Sequence, residues 1–345
     1  MQTVTNAHMN NLVAWAKDKP EVIVFSGDLT GSTEIKLFRE SYPDRFFSLG
    51  MAEQNMMSFA GGMARQGYTP FVHTFAVFMY RRALDQIEMS IAYPNLRVRM
   101  FGFLPGITTP GGVSHQAIND IGVLRSVPNM TIIETGDATD VESMLDLAHG
   151  VDGPVYVRMI RKEIPRLFPK TEPMVFRKVR RVQPETGSSG EAPGAPDITL
   201  LSSGICTEEA MRATSVLRER GLSIDHLHAT TLKPFDDLAV AESAARSKYG
   251  VITMENHNVL GGLATATAEL LAREGVGKRL SAIGLQDTYA HGASQGYLMK
   301  EYGLDATALV RKVEEVVGDS FDVTEDELAD ARISEFAAEG QLEAL

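Results

Sequence analysis

The sequence predicts an α/β protein built on two open, mostly parallel sheets flanked by helices, and three observations lead to that class. Short, nearly unbroken apolar runs such as Glu21-Val-Ile-Val-Phe25 recur along the chain, as strands buried on both faces require. Longer stretches with apolar residues at helical spacing separate them, and strand–helix alternation of this kind favours parallel sheets covered by helices. The run Pro184-Glu-Thr-Gly-Ser-Ser-Gly-Glu-Ala-Pro-Gly-Ala-Pro196 has almost nothing to bury and divides the chain in two.

In the first part, strands are expected at 21–25, 46–49, 69–73, 96–103, 130–133 and 155–159. Helices are expected between them at 6–17, 53–66, 79–92, 116–126 and 139–149. A strand-like stretch from Val175 to Val182 leads into the divider. In the second part, strands at 197–202, 222–228, 249–254 and 279–284 alternate with helices at 207–220, 236–246, 260–273, 294–302 and 305–317. The acidic end from Thr324 to Leu345 reads as one more exposed helix or a mobile tail.

A chain of 345 residues is comfortable for two cores. Its 44% hydrophobic and 23% charged fractions are those of an ordinary globular protein. The net charge of −12 argues against a nucleic-acid surface, which needs clustered Lys and Arg. It leaves room for a small anionic substrate. No apolar run reaches membrane-spanning length, and the N-terminus lacks the basic and apolar regions of a signal peptide. The single Cys206 excludes an internal disulfide and a thiolate-rich metal site. A cytoplasmic protein without nucleic-acid or membrane partners is the expectation.

Chemistry concentrates in the first part. Ser48-Leu-Gly-Met-Ala-Glu-Gln-Asn-Met56 places Glu53 after a glycine turn and ahead of a helix-like run whose Met56, Phe59, Ala60, Met63 and Ala64 share a face. On residue type alone, Glu53 is more often a helix-start acid that complements the dipole. Phe75 and Phe78, in His73-Thr-Phe-Ala-Val-Phe-Met-Tyr80, sit at helical spacing, which more often means core packing than a ring-binding site. His115 lies in Gly111-Gly-Val-Ser-His-Gln116, and Asp28 ends the first strand in Gly27-Asp-Leu-Thr-Gly-Ser32. The carboxyl end of a parallel strand is where open α/β sheets bind ligands, although a turn Asp is common there too. Arg161 follows the strand at 155–159.

Taken together, these phrases resemble the transketolase family over about residues 5–318. Gly-Met-Ala-Glu-Gln-Asn-Met, Thr-Phe-Ala-Val-Phe and Ser-His-Gln carry the likeness, with looser support from Glu255-Asn-His257 and Gly292-Ala-Ser-Gln-Gly296. The resemblance implies a pyrimidine-binding domain over 1–165, a linker over 166–196, a C-terminal domain over 197–318 and an acidic tail over 319–345. It implies thiamine diphosphate as cofactor. Glu53 would hydrogen-bond the pyrimidine N1′, Phe75 and Phe78 would stack on the ring, and Asp28 would contact the cofactor. His115 would face the sugar, and Ser32 and Arg161 would hold a substrate phosphate. Gly-Asp at 136–137 is not followed by the Asn-Asn pair that binds diphosphate. The Mg²⁺ ligands are therefore expected on a separate N-terminal subunit, in an α2β2 assembly, and no metal ligand is expected here.

The substrate side departs from the family pattern. Gly111 stands where an acid reads a sugar hydroxyl, Phe103 where a histidine is usual, and Thr5 or Asn6 where an arginine is. The resemblance thus implies transfer of a two-carbon ketol unit from a ketose that is not the usual one. The alternatives are a β-type subunit of a 2-oxo acid dehydrogenase, a deoxyxylulose-phosphate synthase (which usually carries all its domains in one chain) and a non-catalytic transketolase-like scaffold.

Overall fold

The computed structural model describes residues 2–182 and 194–331. The first part runs β1 (Thr3–Thr5), α1 (Ala7–Trp15), β2 (Val22–Ser26), α2 (Lys36–Ser41), β3 (Phe46–Ser48), α3 (Glu53–Arg65), β4 (Thr69–Phe75) and α4 (Ala76–Gln86). It continues through β5 (Arg99–Phe103), α5 (Asp120–Arg125), β6 (Thr131–Glu134), α6 (Ala138–Gly150), β7 (Val155–Met159), β8 (Glu163–Pro165) and β9 (Arg180–Arg181). The second part holds β10 (Ile198–Ser202), α7 (Cys206–Glu219), β11 (Ile224–His228), β12 (Thr231–Lys233), α8 (Leu238–Arg246), β13 (Gly250–Asn258), α9 (Leu263–Arg273) and β14 (Leu280–Leu285). Helices α10 (Gln295–Glu301), α11 (Ala306–Val317) and α12 (Glu325–Asp330) complete the described chain.

Two mostly parallel sheets flanked by helices result, as the sequence predicts. The first has the order β12-β6-β7-β5-β4-β2-β3 and the second β14-β13-β10-β11-β9. Within them only β12 on β6 and β9 on β11 run antiparallel. Strands β2, β4, β5 and β7 are buried along their whole length, which explains why they read as unbroken apolar runs rather than alternating ones. In α3, α4 and α11 the apolar residues gather on one face, which each helix buries on the core. Asp137, in the 136–137 pair, caps α6 by accepting from the Asp140 amide, a structural use of that residue.

Several elements differ from the sequence expectation. Helix α2 has no apolar period to announce it, since Phe38 is its one buried residue. The expected helix over 79–92 begins three residues earlier, at Ala76, and loosens into a π-helical turn over Ile87–Ala92. The expected strand over 175–182 shrinks to β9, and residues 166–168 are packed rather than linker-like: the Leu167 and Phe168 amides both donate to Asp137 at 2.9 Å. Strand β12 crosses from the second part to close the edge of the first sheet. The stretches 183–193 and 332–345, which hold most of the expected divider and tail, lie outside the described residues.

A charged seam also joins the two parts. Arg158, fully buried on β7, donates through Nε to Asp120 at 2.8 Å, pairs with Glu134, and donates through Nη2 to the Asn256 carbonyl at 3.1 Å. A buried guanidinium stands only with such complete pairing. Because β2, β4, β5 and β7 run parallel in the first sheet, their carboxyl ends, where most of the candidate residues lie, share one edge.

Candidate active site

Glu53 opens α3 and is 2% exposed, although its neighbours Met51 and Ala52 lie in the open. Arg82 satisfies it: Nη1 lies 3.0 Å from Oε1 and 3.1 Å from Oε2. The same guanidinium lies 3.9 Å over the ring of Phe78, so one side chain links the acid to the aromatic pair. Residues 51–55 and Arg82 line an open cleft. Arg82 is the member of this cluster to which reading the sequence by motif assigns no role. The available signal is its spacing, four residues after Phe78 on α4, which puts the two on one helix face.

Phe75 ends β4, and Phe78 lies in the first turn of α4, with ring centroids 5.7 Å apart and planes at 34°. Both rings meet His115 edge-on, at 6.4 Å and 5.3 Å. His115 Nδ1 is tied to Ser114 Oγ at 2.9 Å, which leaves Nε2 without a hydrogen bond among the described residues. Gly111 makes this placement possible. A Cβ there would lie 2.8 Å from both Cβ and Cγ of His115, nearer than such atoms approach. The glycine that replaces the expected acid is therefore a steric requirement of the histidine's position.

Arg161 lies 6.0 Å from the Phe75 ring and donates from Nη1 to the Ser32 carbonyl at 3.1 Å. Its Nε is buried with no partner among the described residues, and burial lowers the guanidinium pKa, with Glu34 opposing. A desolvated cation with an unused donor favours an anionic ligand. Arg161 also borders an interdomain pocket with Leu104, Thr109, Ile160 and Ile205.

The structure thus brings together Glu53, Phe75, Phe78, His115, Arg161 and the backbone of Ser32. Asp28 stands further out: it is exposed, at φ 63°, just past the end of β2. Phe103 is not an open wall. It is fully buried against His8 and His73, at 5.6 Å and 6.2 Å. Those histidines face each other through Nε2 at 3.1 Å, and burial lowers both pKa values, that of His8 to about 3. The position near the N-terminus where an arginine is usual, Asn6, starts α1 in the left-handed region and donates its amide to the Lys162 carbonyl at 3.0 Å. His257 is buried; its ring accepts from the Gly122 amide at 3.4 Å, and the histidine serves the seam. His291 Nδ1 contacts the Tyr302 hydroxyl at 2.9 Å, and its carbonyl accepts from Gln116 Nε2 at 3.2 Å, beside the His115 loop.

Comparison with known proteins agrees with this geometry. The family model "Transketolase, pyrimidine binding domain" matches residues 1–166, and "Transketolase, C-terminal domain" matches residues 191–309. The chain is 37% identical over 305 residues to the transketolase family protein y4mN of Sinorhizobium fredii, covering 88% of this chain and 86% of that one. It is 33% identical to the 6-deoxy-6-sulfo-D-fructose transketolase subunit SqwH of a Clostridium species, covering 90% and 93%. A solved split-gene transketolase, an inactive beta4 tetramer, superposes with a TM-score of 0.80 at 32% identity, covering 91% of this chain and 97% of that one. The chain belongs to the transketolase family and carries its pyrimidine-binding and C-terminal domains, as the C-terminal subunit of a split transketolase does.

Proposed function

We propose that this chain is the C-terminal subunit of a split thiamine-diphosphate-dependent transketolase that transfers a two-carbon ketol unit from an anionic ketose to an aldose. The observation that carries the reading is the placement of a buried carboxylate, Glu53, beside two tilted aromatic rings, with a histidine and a desolvated arginine on the same side. This set fits an aminopyrimidine: a planar ring with one basic nitrogen for the acid and two faces for stacking. Thiamine diphosphate, when bound, supplies the electron sink for cleaving the ketose carbon–carbon bond.

The chain's own residues then have definite tasks. Glu53 hydrogen-bonds the pyrimidine N1′ and sets its protonation, and its pairing with Arg82 holds the carboxyl in place for that bond. Phe75 and Phe78 hold the ring by offset stacking. Ser114 fixes the His115 ring through Nδ1 and aims Nε2 at the sugar's carbonyl or hydroxyl oxygens. Arg161, with Ser32 beside it, takes the anionic end of the ketose. Asp28, exposed just past the end of β2, contacts the cofactor from outside this cluster.

The diphosphate and its Mg²⁺ fall to an N-terminal partner, in an α2β2 assembly in the cytoplasm. The solved split-gene relative, inactive as a tetramer of one subunit type, supports this division. The relative that acts on a sulfo-sugar supports an anionic donor of unusual kind. Turnover of the chain alone, and with its N-terminal partner, thiamine diphosphate and Mg²⁺, tests the reading. Activity is expected only in the pair.

A further inference from the structure

Glu34 has no place in the mechanism above, yet its surroundings are unusual. It is 4% exposed, carries φ 55° in the left-handed region, and sits two residues after Ser32. A non-glycine residue holds that backbone conformation only where the surroundings fix it. The cause is visible in its carboxylate. It accepts the Lys162 amide at 2.6 Å, and the backbone of His8 and Met9 helps to hold its pKa down against the rise that burial causes.

His8 and Met9 are the second and third residues of α1, whose N-cap Asn6 makes no side-chain cap. Glu34 therefore sets its carboxyl beside the uncapped start of α1 from a distant loop, where the helix dipole favours an acid. The Lys162 peptide is held at both ends, since its carbonyl accepts from Asn6 while its amide donates to Glu34. Strand β1 pairs with β8 immediately beyond, Thr5 against Glu163. Arg161 lies within this knot, with Nη1 on the Ser32 carbonyl at 3.1 Å.

We infer that Glu34 is the positioning residue of the anion site: by accepting the Lys162 amide it fixes the 160–162 turn against the 28–35 loop and so aims Arg161 at the ketose's anionic end. The inference rests on the reading of Arg161 as the anion-binding residue. A guanidinium fork discriminates by angle as well as charge, so a loosened turn costs affinity for the anionic end while Glu53 and Phe78, which Glu34 does not contact, stay in place.

The test uses the chain reassembled with its N-terminal subunit, thiamine diphosphate and Mg²⁺. Glu34→Ala, Glu34→Gln and Arg161→Ala are compared on a ketose ending in phosphate, one ending in sulfonate and one with a neutral end. Thermal melts show which variants remain folded. For Glu34→Ala the KM for whichever anionic ketose the parent prefers should rise about tenfold, with kcat within about threefold and the neutral ketose unaffected. Glu34→Gln keeps one acceptor oxygen and should fall between parent and Ala. Equal losses on anionic and neutral ketoses would reduce Glu34 to a structural residue and overturn the inference. So would an unchanged anionic KM in Glu34→Ala when Arg161→Ala does separate the ketoses. If Arg161→Ala fails to separate them, the anion-site reading falls first and takes this inference with it.

Discussion

Arg82 Nη1 lies 3.0 and 3.1 Å from the two carboxylate oxygens of Glu53, while its guanidinium covers Phe78 at 3.9 Å. The pair is asymmetric: the carboxylate is 2% exposed and the arginine 46%. Removing the arginine therefore strands a buried charge, whereas removing the acid frees a cation already half in water. Arg82→Ala should cost about 1–2 kcal/mol of stability, the scale of an unsatisfied buried acceptor, and Glu53→Gln clearly less. Denaturant unfolding of both variants checks this, and equal losses would contradict the asymmetry.

Gly111 and His115 give a second prediction. Because a Cβ at 111 would meet the imidazole at 2.8 Å, restoring the family's acid should displace the histidine before the acid can read any hydroxyl. Gly111→Asp should lower kcat/KM at least about tenfold on every ketose, a loss of about 1.4 kcal/mol or more. A gain on xylulose 5-phosphate would show that the pocket adapts and that the glycine marks specificity alone.

The buried histidine pair predicts a pH response. His73 Nδ1 donates to the Phe71 carbonyl at 3.1 Å, so its Nε2 accepts from His8 Nε2–H and both rings are neutral. The His8 pKa is lowered from 6.5 to about 3 by burial. A neutral native histidine contributes stability fully above the unfolded pKa and loses it as pH falls from 6.5 toward 3, because the unfolded chain takes up the proton first. The slope from one such group approaches ~1.4 kcal/mol per pH unit. His8→Leu should lower stability at pH 8 by about 1–2 kcal/mol, since His73 Nε2 loses its donor. It should also flatten the fall in stability between pH 6.5 and 4. An unchanged slope in denaturant titrations across that range would mean that His8 is protonated in the native state.

Substrate preference follows from the same surroundings. With no acid at 111 and Phe103 turned into the core against His8, the side that would read a sugar hydroxyl offers few acceptors. A ketose panel on the reconstituted pair should show poor use of xylulose 5-phosphate beside a branched, deoxygenated or differently charged ketose. Ordinary efficiency with xylulose 5-phosphate would make the departures neutral.

The sheets were legible because β2, β4, β5 and β7 are buried on both faces and so read as unbroken apolar runs. Glu53, Phe75, Phe78 and His115 were legible because each sits in a phrase whose neighbours fix its context. What stayed hidden depends on contacts across the sequence. Glu34 accepts the amide of Lys162, and no local pattern marks a contact to a residue so far along the chain. Strand β12 spans three residues, too few for a period, and exists because the edge of β6 needs a partner. Phe103 stands where the family has a histidine, and its burial against His8 is hidden from a local reading because His8 lies on α1, far off along the chain.

The central claim is that Glu53 activates a pyrimidine held by this chain while a partner holds the diphosphate. Steady-state turnover of the Glu53→Gln chain, reconstituted with the N-terminal subunit, thiamine diphosphate and Mg²⁺, tests it most directly. Glutamine keeps the size and the hydrogen-bonding reach but cannot share a proton with N1′. Turnover should fall by at least about two orders of magnitude, the scale of a general acid–base contribution, while the pair still assembles. Turnover near that of the parent pair would contradict the account.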